Sequence, residues 1–225
     1  MTLEAVEKRE RELFESAGRD LPALTLASIT CRLLADLIPR VRNNATSDDR
    51  SPGELRVHAL WFMTILGFRS LRAAMNCIAI GYEDQSVGHQ RLIDELRNRA
   101  VQVRRDESGN IAKLWLQGIP TGSASKLAGQ EHWELLSGPV HANSRAVFDW
   151  IAITQDDENA SIQVGPERRP EIANATLTMM AGEVRDLAEI LTAEAGIKVD
   201  LEELDASIVA AQKRFIPDTD ERPSP

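Results

Sequence analysis

Apolar positions along this chain recur mostly three and four residues apart, the spacing of one face of an α-helix. Over residues 2–17, Leu3, Val6, Leu13 and Phe14 share such a face, Glu/Arg pairs cover the others, and Gly18 offers a stop. A second helix is expected from Leu21 to about Asn44. Pro22 stands in its first turn, Pro39 limits or kinks it, and Leu24, Ile29, Leu33, Leu34 and Leu37 form its apolar side. The longest apolar run, Gly53 to about Gly81, carries Val57, Trp61, Ile65, Phe68, Leu71, Met75 and Ile78 at spacings of 4, 4, 3, 3, 4 and 3, the signature of a buried face. Arg69, Arg72 and Asn76 make a polar stripe on the same helix, which exposure to solvent accounts for.

The turn-rich segment GYEDQSVG predicts a break before a fourth helix, His89–Arg105, whose arginines make it the most positive part of the chain. A short helix over Ile111–Gln117 and another over Lys126–Leu136 follow. Near residues 150–165 a small hairpin fits the alternation of Ile162 and Val164 before Gly165-Pro166; continuation of a helix through Ile153 is the alternative. From Glu171 to Ala195 the residues Ala173, Leu177, Met180, Val184, Leu187 and Leu191 step by 4, 3, 4, 3 and 4. That is a heptad seam, read first as core and alternatively as the contact of a homodimer. A helix over 200–213 and a polar, disordered tail close the pattern. The expectation is a mainly α helical bundle with a small hairpin. Helices in residues 1–48 pack on a main helical domain of residues 52–213, and residues 214–225 form the tail.

Composition narrows the chemistry. The 225 residues suffice for a substantial core, and a hydrophobic fraction of 43% belongs to a folded chain. Aromatics make up 4%, so aliphatic side chains and methionine must build that core. With 26 basic and 35 acidic residues, the net charge of −9 does not steer the molecule as a whole to nucleic acid. Cys31 and Cys77 both fall in apolar helical patterns and read as buried, reduced thiols. The charged N-terminus does not resemble a signal peptide, and no apolar run suggests a membrane span, so a cytoplasmic location without membrane attachment is expected.

Chemistry-bearing residues gather between Trp133 and Trp150. Ser137, His141 and Arg145 stand at i, i+4 and i+8, but Pro139 breaks a continuous helix and turns Ser137 or Gly138 into the N-cap of a new one. A helix start with His141 and Arg145 on one face can hold a phosphate or carboxylate, and a histidine titrates near neutrality. The structural reading of the same residues is a capping serine and a hydrogen-bonded interior histidine. On the fourth helix Arg91 and Glu95 stand at i, i+4, the spacing of a surface ion pair. No metal-ligand spacing, phosphate-binding glycine loop or nucleophile elbow occurs, so no metal and no cofactor is expected.

Two patches resemble an uncharacterised family of helical bacterial and phage proteins. One is an apolar helix followed by Arg91, Leu92, Ile93, Asp94 and Glu95. The other is Leu136, Ser137, His141, Ala142 and Asn143, and Ile162–Pro166 adds to the likeness, which spans roughly residues 55–195. The resemblance implies a bundle in which the two helices adjoin, with a shared pocket of Arg91, Glu95, Ser137 and His141. A more distant likeness is to HEPN domains, helical and often dimeric ribonucleases. Leu135, Leu136 and Ser137 stand where those domains carry an arginine before the histidine, and Arg145 follows His141 instead. The functional expectation is a defence- or stress-type protein that binds or cleaves a phosphate-containing ligand such as RNA or a nucleotide. His141 would be the acid/base, Glu95 its orienting partner, and Arg91, Arg145, Ser137 and Asn143 the ligand contacts. The competing expectation is a non-enzymatic module with a protein partner, its polar cluster fixing helix packing.

Overall fold

A computed structural model of the chain describes residues 3–42, 51–119, 153–156, 159–162 and 166–216. Its helices are α1 (Leu3–Asp20), α2 (Ala23–Arg42), α3 (Pro52–Ala79), α4 (Glu83–Arg105), α5 (Asn110–Leu116), α6 (Pro170–Ala195) and α7 (Glu202–Phe215). Strands β1 (Ile153–Asp156) and β2 (Asn159–Ile162) pair antiparallel, Ile153 opposite Ile162 and Asp156 opposite Asn159. The mainly α bundle and the small hairpin agree with the periodicity. The expected helix over 126–136 and the end of the tail lie outside the described residues.

Helices α3 and α6 lie at the centre, flanked by α2 and α4; α7 leans on α6 and α2, and α5 on α3 and α4. Leu34, Leu37, Leu60, Met63, Leu71, Ile78, Ile93, Leu177, Met180, Leu187 and Leu191 are among the fully buried side chains where these helices meet. The start of α3 is fixed by a capping box: Ser51 N donates to Glu54 Oε2 at 2.7 Å, and Glu54 N donates to Ser51 Oγ, with Pro52 next in line.

Three details depart from the periodicity, each for a physical reason. Helix α4 begins at Glu83, six residues before the expected His89, because the whole break is made at Ile80–Tyr82. Gly81 adopts φ +91°, which ends α3 abruptly, and Glu83 and Asp84 then suit the positive end of α4. The buried face of α3 is rotated in its first half. Leu60, Met63, Thr64 and Gly67 are buried there, whereas Val57, Trp61, Ile65 and Phe68 are only half-buried. Small and polar residues carry that seam: a Cβ on Gly67 would stand 2.8 Å from Leu187 Cδ1, so glycine lets α3 and α6 approach. Finally, Leu3, Phe14 and Ile29 are exposed rather than buried, so α1 is held mainly through Leu13 and Ala17.

The heptad residues of α6, Ala173 through Leu191, are all buried within the chain itself. This seam is core, and it offers a second copy no surface; the homodimer expected from it gains no support from these residues. Arg69, Arg72 and Asn76 are exposed as expected, and Cys31 is buried with its thiol pushed up to about 11 by desolvation. No single helix among the described residues is long and apolar enough to cross a membrane.

Candidate functional site: a groove between α4, α6 and α7

Arg91 and Glu95 lie on α4, with Arg91 Nε 3.4 Å from Glu95 Oε1. The Arg91 side chain is 16% exposed and that of Glu95 37%, so the pair is formed at the edge of the bundle. Ser137, His141, Asn143 and Arg145 lie outside the described residues, and with them the pocket implied for Ser137 and His141 beside Arg91 and Glu95.

The described residues instead bring together a site that the sequence reading passed over. Arg97 of α4, Met179, Gly182, Glu183, Arg185 and Asp186 of α6, and Asp205, Ile208, Val209 and Gln212 of α7 line a groove of about 520 Å³. That volume is in the range of small-molecule sites. Its floor follows from helical spacing. Met179, Glu183 and Asp186 step by 4 and 3, one residue behind the core seam Met180, Val184 and Leu187, so they border the core without entering it. The missing side chain of Gly182 opens the floor: a Cβ there would find Ile208 Cγ2 at 3.7 Å and Gln212 Nε2 at 3.9 Å. Ile208 and Val209 give the α7 wall an apolar character.

The arginines of the groove are already committed to carboxylates. Arg97 Nε donates to Asp186 Oδ2 at 2.7 Å, tying α4 to α6. Arg185 forks onto Asp205, Nε to Oδ1 at 2.5 Å and Nη2 to Oδ2 at 2.6 Å, tying α6 to α7, and Nη1 also donates to Glu189. The hydrogen bonds that Asp205 accepts hold the Arg185 guanidinium protonated well above its ordinary range, with the Glu189 and Asp205 charges adding to this against desolvation.

Glu183 has no such answer. Its Oε2 is closed to solvent and accepts no hydrogen bond among the described residues. Burial pushes its carboxyl up to about 8; the charge of Asp94, itself 5% exposed, and that of Asp186 push the same way, and Arg97 offsets only part. At neutral pH Glu183 is therefore largely protonated, an uncharged acid bordering a groove. A proton is the means by which this acidic corner reduces its own repulsion. Asp94 is held by its neighbour one turn on, Asn98 Nδ2 donating to Asp94 Oδ1 at 3.2 Å.

A second buried acid lies at the opposite kind of place. Glu83, 4% exposed at the start of α4, accepts from Arg169 N at 2.6 Å through Oε1, and its Oε2 is 3.7 Å from Arg169 Nε, an ion-pair separation. Burial pushes its carboxyl up to about 7, against the hydrogen bond from Arg169 N and the charges of Arg169 and Arg168. Arg168, 2% exposed, donates to Ala79 O at 2.5 Å, Ser16 Oγ at 2.8 Å, Asp20 Oδ2 at 3.2 Å and the carbonyl of Leu13. Beside it Glu167 N donates to Gly81 O at 3.0 Å. Pro166–Arg169 thus straps the end of α3 to α1 and α4, which gives the segment after Val164 a structural role.

Among the described residues no three His, Cys, Asp or Glu side chains converge to hold a metal ion. Comparison with known protein families, characterised proteins and solved structures finds none that matches the chain. The groove could have been suspected from two sequence signals: the Met179/Glu183/Asp186 stripe bordering a heptad seam, and the polar run Gln90, Asp94, Asn98 at i, i+4, i+8 on α4, all three buried.

Proposed function

We propose that the chain is a non-catalytic binding module whose ligand enters the groove between α4, α6 and α7. The observation that carries this reading is Glu183, a carboxylic acid bordering a 520 Å³ groove with one oxygen left without a hydrogen bond. Buried polar atoms are ordinarily satisfied, and of those left without a hydrogen bond among the described residues, Glu183 Oε2 belongs to a residue that lines the groove, whereas Glu83 Oε2 and Arg168 Nε belong to the strap. The interhelical pairs Arg97–Asp186 and Arg185–Asp205 hold the walls at fixed separation, a preorganisation that favours binding. Methyl NMR of ¹³C-labelled methionine tests it. Met179 lines the groove and its neighbour Met180 is fully buried, so a fragment mixture should shift Met179 and leave Met180 in place. A mixture of neutral, anionic and cationic fragments that moves neither resonance would end the proposal.

A second reading keeps the phosphate chemistry centred on His141, with Glu95 as its orienting partner and Arg91 as a contact to a nucleotide or RNA. What favours it is that Arg91 and Glu95 stand together at the edge of α4. Its test is the substitution His141→Ala: RNA cleavage, or toxicity on expression, should disappear in the variant, and equal behaviour of both proteins would remove the reading.

A further inference from the structure

We propose that the ligand of this groove is a small organic cation, an alkylammonium whose charged nitrogen lies against the Glu183 carboxyl and whose stem runs along Met179, Ile208 and Val209. The inference rests on the binding reading above and adds the ligand's charge and shape. Around Glu183 stand Asp94 and Arg97 on α4, Arg185 and Asp186 on α6, and Asp205 on α7. Arg97 is spent on Asp186, and Arg185 on Asp205 and Glu189. With Glu183 ionised, the three acids and two arginines of the lining leave a net negative charge, and the adjoining Asp94 deepens it. An anionic ligand would meet that excess, and each arginine of the groove already faces a carboxylate. A metal ion would lack a converging ligand set among the described residues. An ammonium brings one positive charge and N–H donors, which an acid lacking a hydrogen bond can use. The apolar α7 wall, with Val209 48% exposed, suits the stem.

Binding is then an exchange: the Glu183 carboxyl releases its proton to solvent, the carboxylate keeps the electron pair, and the ammonium takes the proton's place as counter-charge. Below the pH at which Glu183 titrates, each bound cation should release close to one proton, and affinity should rise as pH rises toward 8.

The experiment titrates the full chain with pentylammonium, 1-pentanol and valerate, reading Met179 and Met180 methyl resonances, with calorimetry in phosphate and HEPES to count protons. The expected result is a Met179 shift with pentylammonium at least tenfold tighter than with 1-pentanol, tightening between pH 6 and pH 8, with proton release. Glu183→Gln should lose that preference and the proton release while keeping the Met180 resonance. Pentanol or valerate binding as tightly as the amine would overturn the cation proposal and leave the groove reading standing; no Met179 shift with any probe would overturn both. If the variant does not fold, the wild-type pH profile decides alone: an affinity unchanged from pH 6 to pH 8 sinks the exchange.

Discussion

Two corners of this bundle bury a carboxylic acid among arginines, and they differ in what adjoins the acid. At the strap, Glu83 receives a backbone N–H from Arg169, and Arg168 spreads its donors over Ala79, Leu13, Ser16 and Asp20. Glu83 Oε2 and Arg168 Nε are left without a hydrogen bond there among the described residues, and Gly81 brings the backbones of α3 and the strap together. At the groove, the arginines answer other acids, and Glu183, one of the lining residues, keeps an Oε2 closed to solvent and without a hydrogen bond among the described residues. Both acids are pushed upward by burial, so raised basicity does not separate a fastening from a site. Each acid also leaves its Oε2 without a hydrogen bond among the described residues; what separates them is the backbone N–H and the arginine that face Glu83, and the groove that adjoins Glu183.

The sharpest way to break this contrast is to remove one arginine from each corner. Arg168→Ala strips donors from the helix-end carbonyl of Ala79, from Leu13 O inside α1, and from Ser16 and Asp20, and takes a buried positive charge from beside Glu83, so it should cost roughly 3–5 kcal/mol of stability in urea unfolding. Arg185→Ala removes a fork whose partner Asp205 is 41% exposed and can turn to water, and should cost about 1 kcal/mol or less. Equal losses would mean that the groove walls are as much a fastening as the strap. Next in size is Gly81→Ala. Its φ of +91° is unfavourable for an L side chain, and the new Cβ would stand 2.5 Å from Leu13 Cδ1 and 3.1 Å from Glu167 N. A cost of roughly 2–4 kcal/mol in thermal unfolding is expected from strain and overpacking together.

The acids themselves sharpen the comparison through pH. Each has a folded-state value above the ordinary one of 4.5, about 7 for Glu83 and about 8 for Glu183. The unfolded chain gives up these protons first, so stability is highest below pH 4.5 on their account and falls as pH rises through each folded value, by up to about 1.4 kcal/mol per pH unit per group. Wild-type stability should therefore decline from pH 5 to pH 8, and in Glu183→Gln the decline should be shallower and stop near pH 7. A wild-type profile that stays flat over that range would show that neither acid keeps its proton in the fold.

The contrast also marks what the amino-acid order reveals. The helices were legible because Leu, Ile, Val and Met repeat at helical spacing, and α6 came out in register because its seam is built from large apolar residues. On α3 the same reasoning rotated the face, since Gly67, Thr64 and Ala59, which weigh little on any apolar scale, share the buried face with Leu60 and Met63. The break before α4 was misplaced because EDQSVG has turn composition, while the chain turns at Gly81, where the approach of Glu167 demands it. The site was less legible still. Arg91 and Glu95 pair as their spacing suggests, but Glu183 gains its character from burial first and then from Asp94, 89 residues away in the sequence. Only folding tells which polar residues beside a seam face a partner and which face a groove.

The smallest predicted effect tests the opening itself. Gly182 lies inside α6, where glycine disfavours helix by roughly 1 kcal/mol relative to alanine. The added methyl of Gly182→Ala would meet nothing nearer than Ile208 Cγ2 at 3.7 Å, an ordinary contact. The variant should therefore be more stable than wild type by about 0.5–1 kcal/mol. It should also bind pentylammonium less well, because the methyl fills the floor of the groove. A gain in stability with a loss of binding would mark Gly182 as kept for the opening rather than for the helix. Destabilisation instead would mean that α6 and α7 are packed tightly at this point and that no ligand-sized space separates them.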